Sequence, residues 1–75
     1  MRKAGSVVRT AQGLAILRVP GEDHPDIGEM VVDEQLDTVG RIVDVFGPVE
    51  RPYLAVTPEE HRHLPMLLGD ELYVR

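Results

Sequence analysis

Turn-forming residues cut this chain into short pieces, and that division limits its fold more than any other feature. The signals are Gln12-Gly13, Pro20-Gly21, Pro25, Gly28, Gly47-Pro48, Pro52, Pro58 and Gly69-Asp70. Proline lacks the N–H that a helix interior or a sheet ladder needs, and glycine takes up backbone angles that other residues avoid. Between the signals lie short apolar runs rich in β-branched residues. They are Gly5–Thr10, Leu14–Val19, Met30–Val32, Val39–Phe46, Tyr53–Thr57 and Glu71–Arg75. Regularly punctuated runs of this kind predict an all-β barrel or sandwich. Closure is expected, because a small open sheet would expose two sticky edges.

The runs differ in their alternation. In the last, Leu72 and Val74 are expected to face inward and Glu71, Tyr73 and Arg75 outward. Two others are apolar in succession, at Ala15-Ile16-Leu17 and at Ile42-Val43 and Val45-Phe46. A strand apolar on both faces is bulged, covered by a loop, or part of an interface.

A chain of 75 residues is expected to form one domain, spanning residues 1–75. Chains this short bury only about 60% of the surface they expose when unfolded, so a partner surface would help. There is no cysteine, which excludes disulfide staples and a thiolate zinc site. No apolar run reaches the roughly 18 residues of a membrane span, and Met1–Gly5 lacks the apolar stretch of a signal peptide. A soluble cytoplasmic protein is expected. Eight Lys+Arg stand against thirteen Asp+Glu, a net charge of −5. That balance opposes RNA binding by phosphate neutralisation. Lys3 is the sole lysine, and acid with so little lysine is a pattern of salt-adapted haloarchaeal proteins.

Other features read as structural. Glu22, Asp23, Asp26, Glu29, Asp33, Glu34 and Asp37 make the segment Pro20–Asp37 an acidic, solvated connection that matches no calcium-loop spacing. Thr57-Pro58-Glu59-Glu60 predicts a helix start. Thr57 would cap it, Pro58 would take the first helical position and Glu60 would complete a capping box. Pro65 and Gly69 limit that helix to one or two turns, with Leu64, Met66, Leu67 and Leu68 folded against the barrel. His61 and His63, two apart, point to different sides of a helix and with His24 make no metal set. Ser6 is the only serine and has no motif around it, and the glycines are too scattered for a phosphate loop. No catalytic residue, cofactor or metal is expected.

The most informative stretch runs from Val39 to Val56, VGRIVDVFGPVERPYLAV. Gly40 within a strand implies a bulge, a bend or the close approach of another backbone. Gly47-Pro48 forces a turn, and Pro52 removes a further donor and turns Arg51 away from helix. The result is a stiff connection presenting Phe46, Pro48, Val49, Pro52 and Tyr53. Rigid apolar groups lose little freedom on binding, so such a ridge suits docking.

The pattern V-G-x-[IV]-x-D-V-F-G-P-V-x-x-P-Y, within this stretch, resembles the core of the Gar (glycine/arginine-rich) subunit of archaeal H/ACA pseudouridylation ribonucleoproteins. It is shared in part with the related H/ACA assembly factor. Gly5-Ser6-Val7-Val8, Gln12-Gly13, Leu14–Arg18, Val31-Val32-Asp33 and Gly69–Val74 are similar too, in order. The resemblance implies a closed six-stranded, Greek-key-like barrel of the translation-factor type, with one short helical insert here. It implies a non-catalytic subunit that docks on a dyskerin-type pseudouridine synthase and assists substrate loading and product release. Guide and substrate RNA would be met only through the complex. Carried over by position, the partner-binding residues are Val39, Gly40, Ile42, Phe46, Gly47, Pro48, Val49, Pro52 and Tyr53. The family often carries basic or glycine/arginine-rich tails, and no auxiliary RNA affinity from such a tail is expected of residues 1–75. An RNA-binding barrel of the translation-factor type and the assembly-factor relative are the alternatives.

Overall fold

Six strands form where the apolar runs lie: β1 (Arg2–Ala11), β2 (Leu14–Arg18), β3 (Met30–Val32), β4 (Thr38–Phe46), β5 (Tyr53–Pro58) and β6 (Glu71–Val74). A single 3-10 turn occupies Leu64–Leu67. The computed structural model describes residues 2–75. All neighbouring strands are antiparallel, and the order β1-β2-β5-β4-β3-β6 closes into a barrel. Strands β3, β4 and β5 follow one another as neighbours, and β2 lies beside β5 at the far side of the long connection. This is a Greek key. Closure gives every strand two neighbours, so the edge hazard foreseen for an open sheet is removed. The seam is narrowest at β3–β6, where Val32 opposite Tyr73 is the registered pair.

Strand register explains the core. Across β1, β2, β5 and β4, one inward row reads Val7, Leu17, Leu54, Val45, and the next reads Thr10, Ala15, Val56, Ile42. Val31, Val39, Leu72 and Val74 complete the barrel interior. Leu67 of the 3-10 turn rests against β1 and β2 and is buried, with Leu64 partly so. Met66 and Leu68, expected to fold inward with them, are instead 76% and 52% exposed. A 3-10 turn of four residues has too few positions facing one way to bury all four side chains.

Among the described residues, four register shifts interrupt the ladders, one between Lys3 and Gly5 against β6, one at Val39 against β3, and two more at Val8 and Val43. The β1–β2 register shifts between Val7 and Arg9, and the β4–β5 register shifts between Ile42 and Asp44. Each bulge adds one residue to its strand, Val8 and Val43, and resets the phase. Val45 therefore faces the core and Phe46 the outside. Gly40 shows the close backbone approach that a strand glycine can signal. A Cβ there would collide with the Thr57 carbonyl oxygen and would lie 2.9 Å from Pro58 Cα.

The helix start at Thr57 does not form. Thr57 and Pro58 extend β5, opposite Arg41 and Gly40, and the Glu59 amide donates to the Val39 carbonyl at 2.7 Å. The long β4 offers ladder partners to this segment, and those bonds outcompete a cap that would satisfy one or two amides. Helical geometry appears only from Leu64, after a turn closed by the Arg62 amide on the Glu59 carbonyl at 2.9 Å.

Arg62 then ties this loop to the acidic connection. Its Nη2 donates to Asp33 Oδ2 at 2.9 Å and to the Asp37 carbonyl at 3.2 Å, and its Nε donates to the Thr38 carbonyl at 3.1 Å. Asp33 Oδ1 accepts from the Gln35 and Asp37 amides at 2.9 and 3.0 Å. Burial alone would raise the Asp33 pKa, but the Arg62 hydrogen bond, the two amides and the Arg62 charge together hold it below the ordinary carboxylate value. A lowered folded-state pKa stabilises the fold at pH above about 3.9, and that contribution is lost as pH falls through the folded value. Asp33→Asn is expected to cost about 1–3 kcal/mol at neutral pH. The difference should vanish in acid, as read by urea unfolding across pH.

Candidate protein-docking site

Four of the nine residues carried over from the Gar resemblance lie inside. Val39 and Ile42 are fully buried in the core. Gly40 is packed under β5, and Pro52 is buried. Ile42 belongs to the inward set of β4, and Val39, three residues away, joins it because the β3–β4 register skips Val39 between Thr38 and Gly40, so no partner can touch their side chains. These four shape the ridge and do not line it. Phe46 and Tyr53 are half-buried on the outside, and Gly47, Pro48 and Val49 are exposed.

The connection between β4 and β5 is held firmly. Gly47 has φ +91°, a left-handed conformation suited to glycine, and a Cβ there would lie 2.9 Å from Tyr53 Cδ2. The Arg51 amide closes the turn on the Pro48 carbonyl at 3.2 Å. The Arg51 Nε donates to the Val19 carbonyl at 3.2 Å, and the Val19 amide donates to the Pro52 carbonyl at 3.2 Å. The Arg51–Pro52 end is thus bound to Val19, just past β2, and the tip projects with Val49 82% exposed. Phe46 and Tyr53 face each other across β4 and β5, rings stacked at 5.6 Å and 22°.

Across the sheet the ridge is bordered by Arg18, Arg9, Val8 and Val43, which sequence reading did not place there. One outward row runs Arg18, Tyr53, Phe46 across β2, β5 and β4. Its neighbour runs Arg9, Ile16, Ala55, Asp44 across β1, β2, β5 and β4. Ile16 and Ala55 point away from the core cluster yet are 4% and 3% exposed. The bulged Val8 and Val43 flank this row at 46% and 41% exposure. The apolar succession Ala15-Ile16-Leu17 carried this signal. Adding Ala55 and the arginines required the register.

A separate cavity lies between Asp37, Thr38, His61, Arg62 and His63. Among the described residues, no three His, Asp or Glu side chains converge as a metal site. Arg62 in that cavity is already committed to Asp33 and two backbone carbonyls.

The sequence model described as the Gar1/Naf1 RNA binding region matches residues 1–75. The chain belongs to this family. A solved structure described as the Gar1 domain of NAf1 superposes with a TM-score of 0.74, at 15% identity, covering 99% of this chain and 85% of that one. The two share the Gar1-like barrel fold. An uncharacterized protein of Methanocaldococcus jannaschii is 36% identical over 50 residues, which are 67% of this chain. The match spans 58% of that relative's length. In this Gar1/Naf1 member, then, the barrel displays one stiff apolar ridge on the β1-β2-β5-β4 face.

Proposed function

We propose that this chain is a non-catalytic accessory subunit of the H/ACA guide-RNA pseudouridylation particle, docking on the catalytic domain of a dyskerin-type pseudouridine synthase. Membership of the Gar1/Naf1 family supports the setting. The observation that carries the docking mode is the pinned turn that holds Pro48 and Val49 in solvent beside the Phe46–Tyr53 pair. The contacting set is Val43, Phe46, Gly47, Pro48, Val49 and Tyr53, with Val39, Gly40, Ile42 and Pro52 beneath.

A docked subunit shifts a loop of its partner only as far as it binds one loop state better than another. The effect falls on substrate loading and product release, and so on turnover more than on guide-RNA assembly. RNA is met through the complex. The experiment is multiple-turnover pseudouridylation by the synthase and guide RNA, with and without this chain. Turnover should rise while guide-RNA binding stays the same; a synthase that neither retains the chain nor responds to it would refute the reading.

The likeness to the Gar1 domain of NAf1 favours a second reading, an assembly factor with the same barrel and partner. It requires the chain to be absent from the mature, active particle, whereas an accessory subunit is present there.

A further inference from the structure

We propose that the protein surface this chain docks against carries carboxylates placed to meet Arg9 and Arg18. The proposal rests on the docking reading above and specifies the chemistry of its partner.

The first observation is where the free cations lie. The chain carries a net charge of −5, and most of its positive groups are engaged. Arg2, Lys3 and Arg62 pair with carboxylates, while Arg51 and Arg75 donate to backbone carbonyls. Among the described residues, Arg9, Arg18 and Arg41 have no carboxylate within 4.0 Å. All three are exposed. All three point outward from the same sheet face, since each is flanked by, or in register with, residues whose phase is fixed by the core.

The second observation is their coupling to the ridge. The Arg18 guanidinium carbon is 5.7 Å from the Tyr53 ring centroid and that of Arg9 is 6.0 Å. A partner that covers Tyr53 therefore covers these guanidinium groups or crowds them. Burying a cation without a counter-charge costs several kcal/mol, so a surface that fits here must supply acceptors. Arginine stacked on a ring is already oriented, which favours forked pairing with a carboxylate. Asp44 ends the Arg9 row three strands away, about 14 Å at ordinary strand spacing, and gives the face a direction. The complement is acidic opposite Arg9 and Arg18 on β1 and β2 and not acidic opposite Asp44; Arg41 lies toward the other end of β4, in register with Thr57, outside the Tyr53 cluster.

RNA phosphate is the other anion source, and the observations favour it less. Tyr53 lies between Arg18 on β2 and Phe46 on β4 in one row, and Phe46, Arg18 and Arg9 already crowd its ring. A base platform needs an open ring face. The remaining acidic surface also repels a polyanion.

The test is the dissociation constant of the chain for purified pseudouridine synthase, from about 0.1 M to about 1 M salt. Native protein is compared with the Arg9→Glu/Arg18→Glu double variant, the milder Arg9→Gln/Arg18→Gln variant and Val49→Asp. Charge reversal is expected to weaken binding about 30-fold or more at low salt and to flatten the salt dependence, with the glutamine variant intermediate. If both arginine variants bind like native protein while Val49→Asp fails to bind, docking stands and the carboxylate proposal falls. If none of the variants alters binding, the docking reading itself falls. If the native chain binds guide RNA alone tightly and charge reversal abolishes that, the anion is phosphate and the proposal is overturned.

Discussion

Tyr53→Ala is expected to weaken capture of the pseudouridine synthase by about 30-fold or more, which is about 2 kcal/mol. Tyr53 sits at the centre of the outward rows, with Phe46 stacked at 5.6 Å and two guanidinium groups within 6.0 Å. Its removal takes away the apolar anchor and the support on which Arg9 and Arg18 are arranged. Central aromatic anchors surrounded by lesser contacts are where binding energy concentrates. Phe46→Ala should act in the same direction. Because both rings are half-buried, a folding defect must be separated from a docking defect. Val49→Asp does this, since Val49 is 82% exposed and contributes little to the barrel itself. Affinity measured by titration calorimetry, alongside thermal unfolding of each variant, checks the prediction. Native affinity in all three variants would remove the ridge from the interface.

Gly40→Ala is expected to be the most damaging single methyl group in the chain. The added carbon would meet the Thr57 carbonyl oxygen and Pro58 Cα, both main-chain atoms of the paired strand. No rotamer change relieves such a clash, so β4 and β5 must part locally. Overpacking of this kind costs about 1–3 kcal/mol, occasionally more. In a domain of this size each kcal/mol lowers the melting temperature by roughly 4–8 °C. Thermal unfolding should therefore shift down by roughly 4–24 °C. Gly13 offers the control: nothing lies within 4 Å of a Cβ placed there, although its φ of +78° still disfavours a side chain. A Gly40→Ala protein as stable as the native one would mean that the two strands do not approach so closely.

The two predictions draw on different kinds of information. The apolar runs and turn residues, read locally, placed all six strands to within a few residues, because strand propensity and turn chemistry are local properties. The charge balance and the lack of cysteine were equally local. Which side of a strand a residue faces was harder. Val39 and Ile42 read as surface residues within the Gar pattern, but strand phase puts them in the core. The register shift at Val39 lets that residue turn inward alongside Ile42, and the bulge at Val43 resets the phase for Val45 and Phe46. Nothing in the order Ile42-Val43-Asp44 shows by itself which of the three is extra.

The missed helix has the same origin. Thr57-Pro58-Glu59-Glu60 has sound local credentials for a helix start, yet β4 runs far enough to pair with Thr57 and Pro58. Propensity is a weak prior and tertiary pairing overrides it. Likewise, no reading of separate segments could bring Arg62 to Asp33, 29 residues away, or Arg9 and Arg18 to Tyr53.

By itself, then, the order of residues determined the number of strands, the turns between them and the stiff Gly47–Pro52 connection, since each depends on backbone preferences within a few neighbours. Only the tertiary structure decided which apolar residues face outward and where the unpaired arginines gather. Both depend on register between strands distant in the chain, and register is settled by the barrel as a whole.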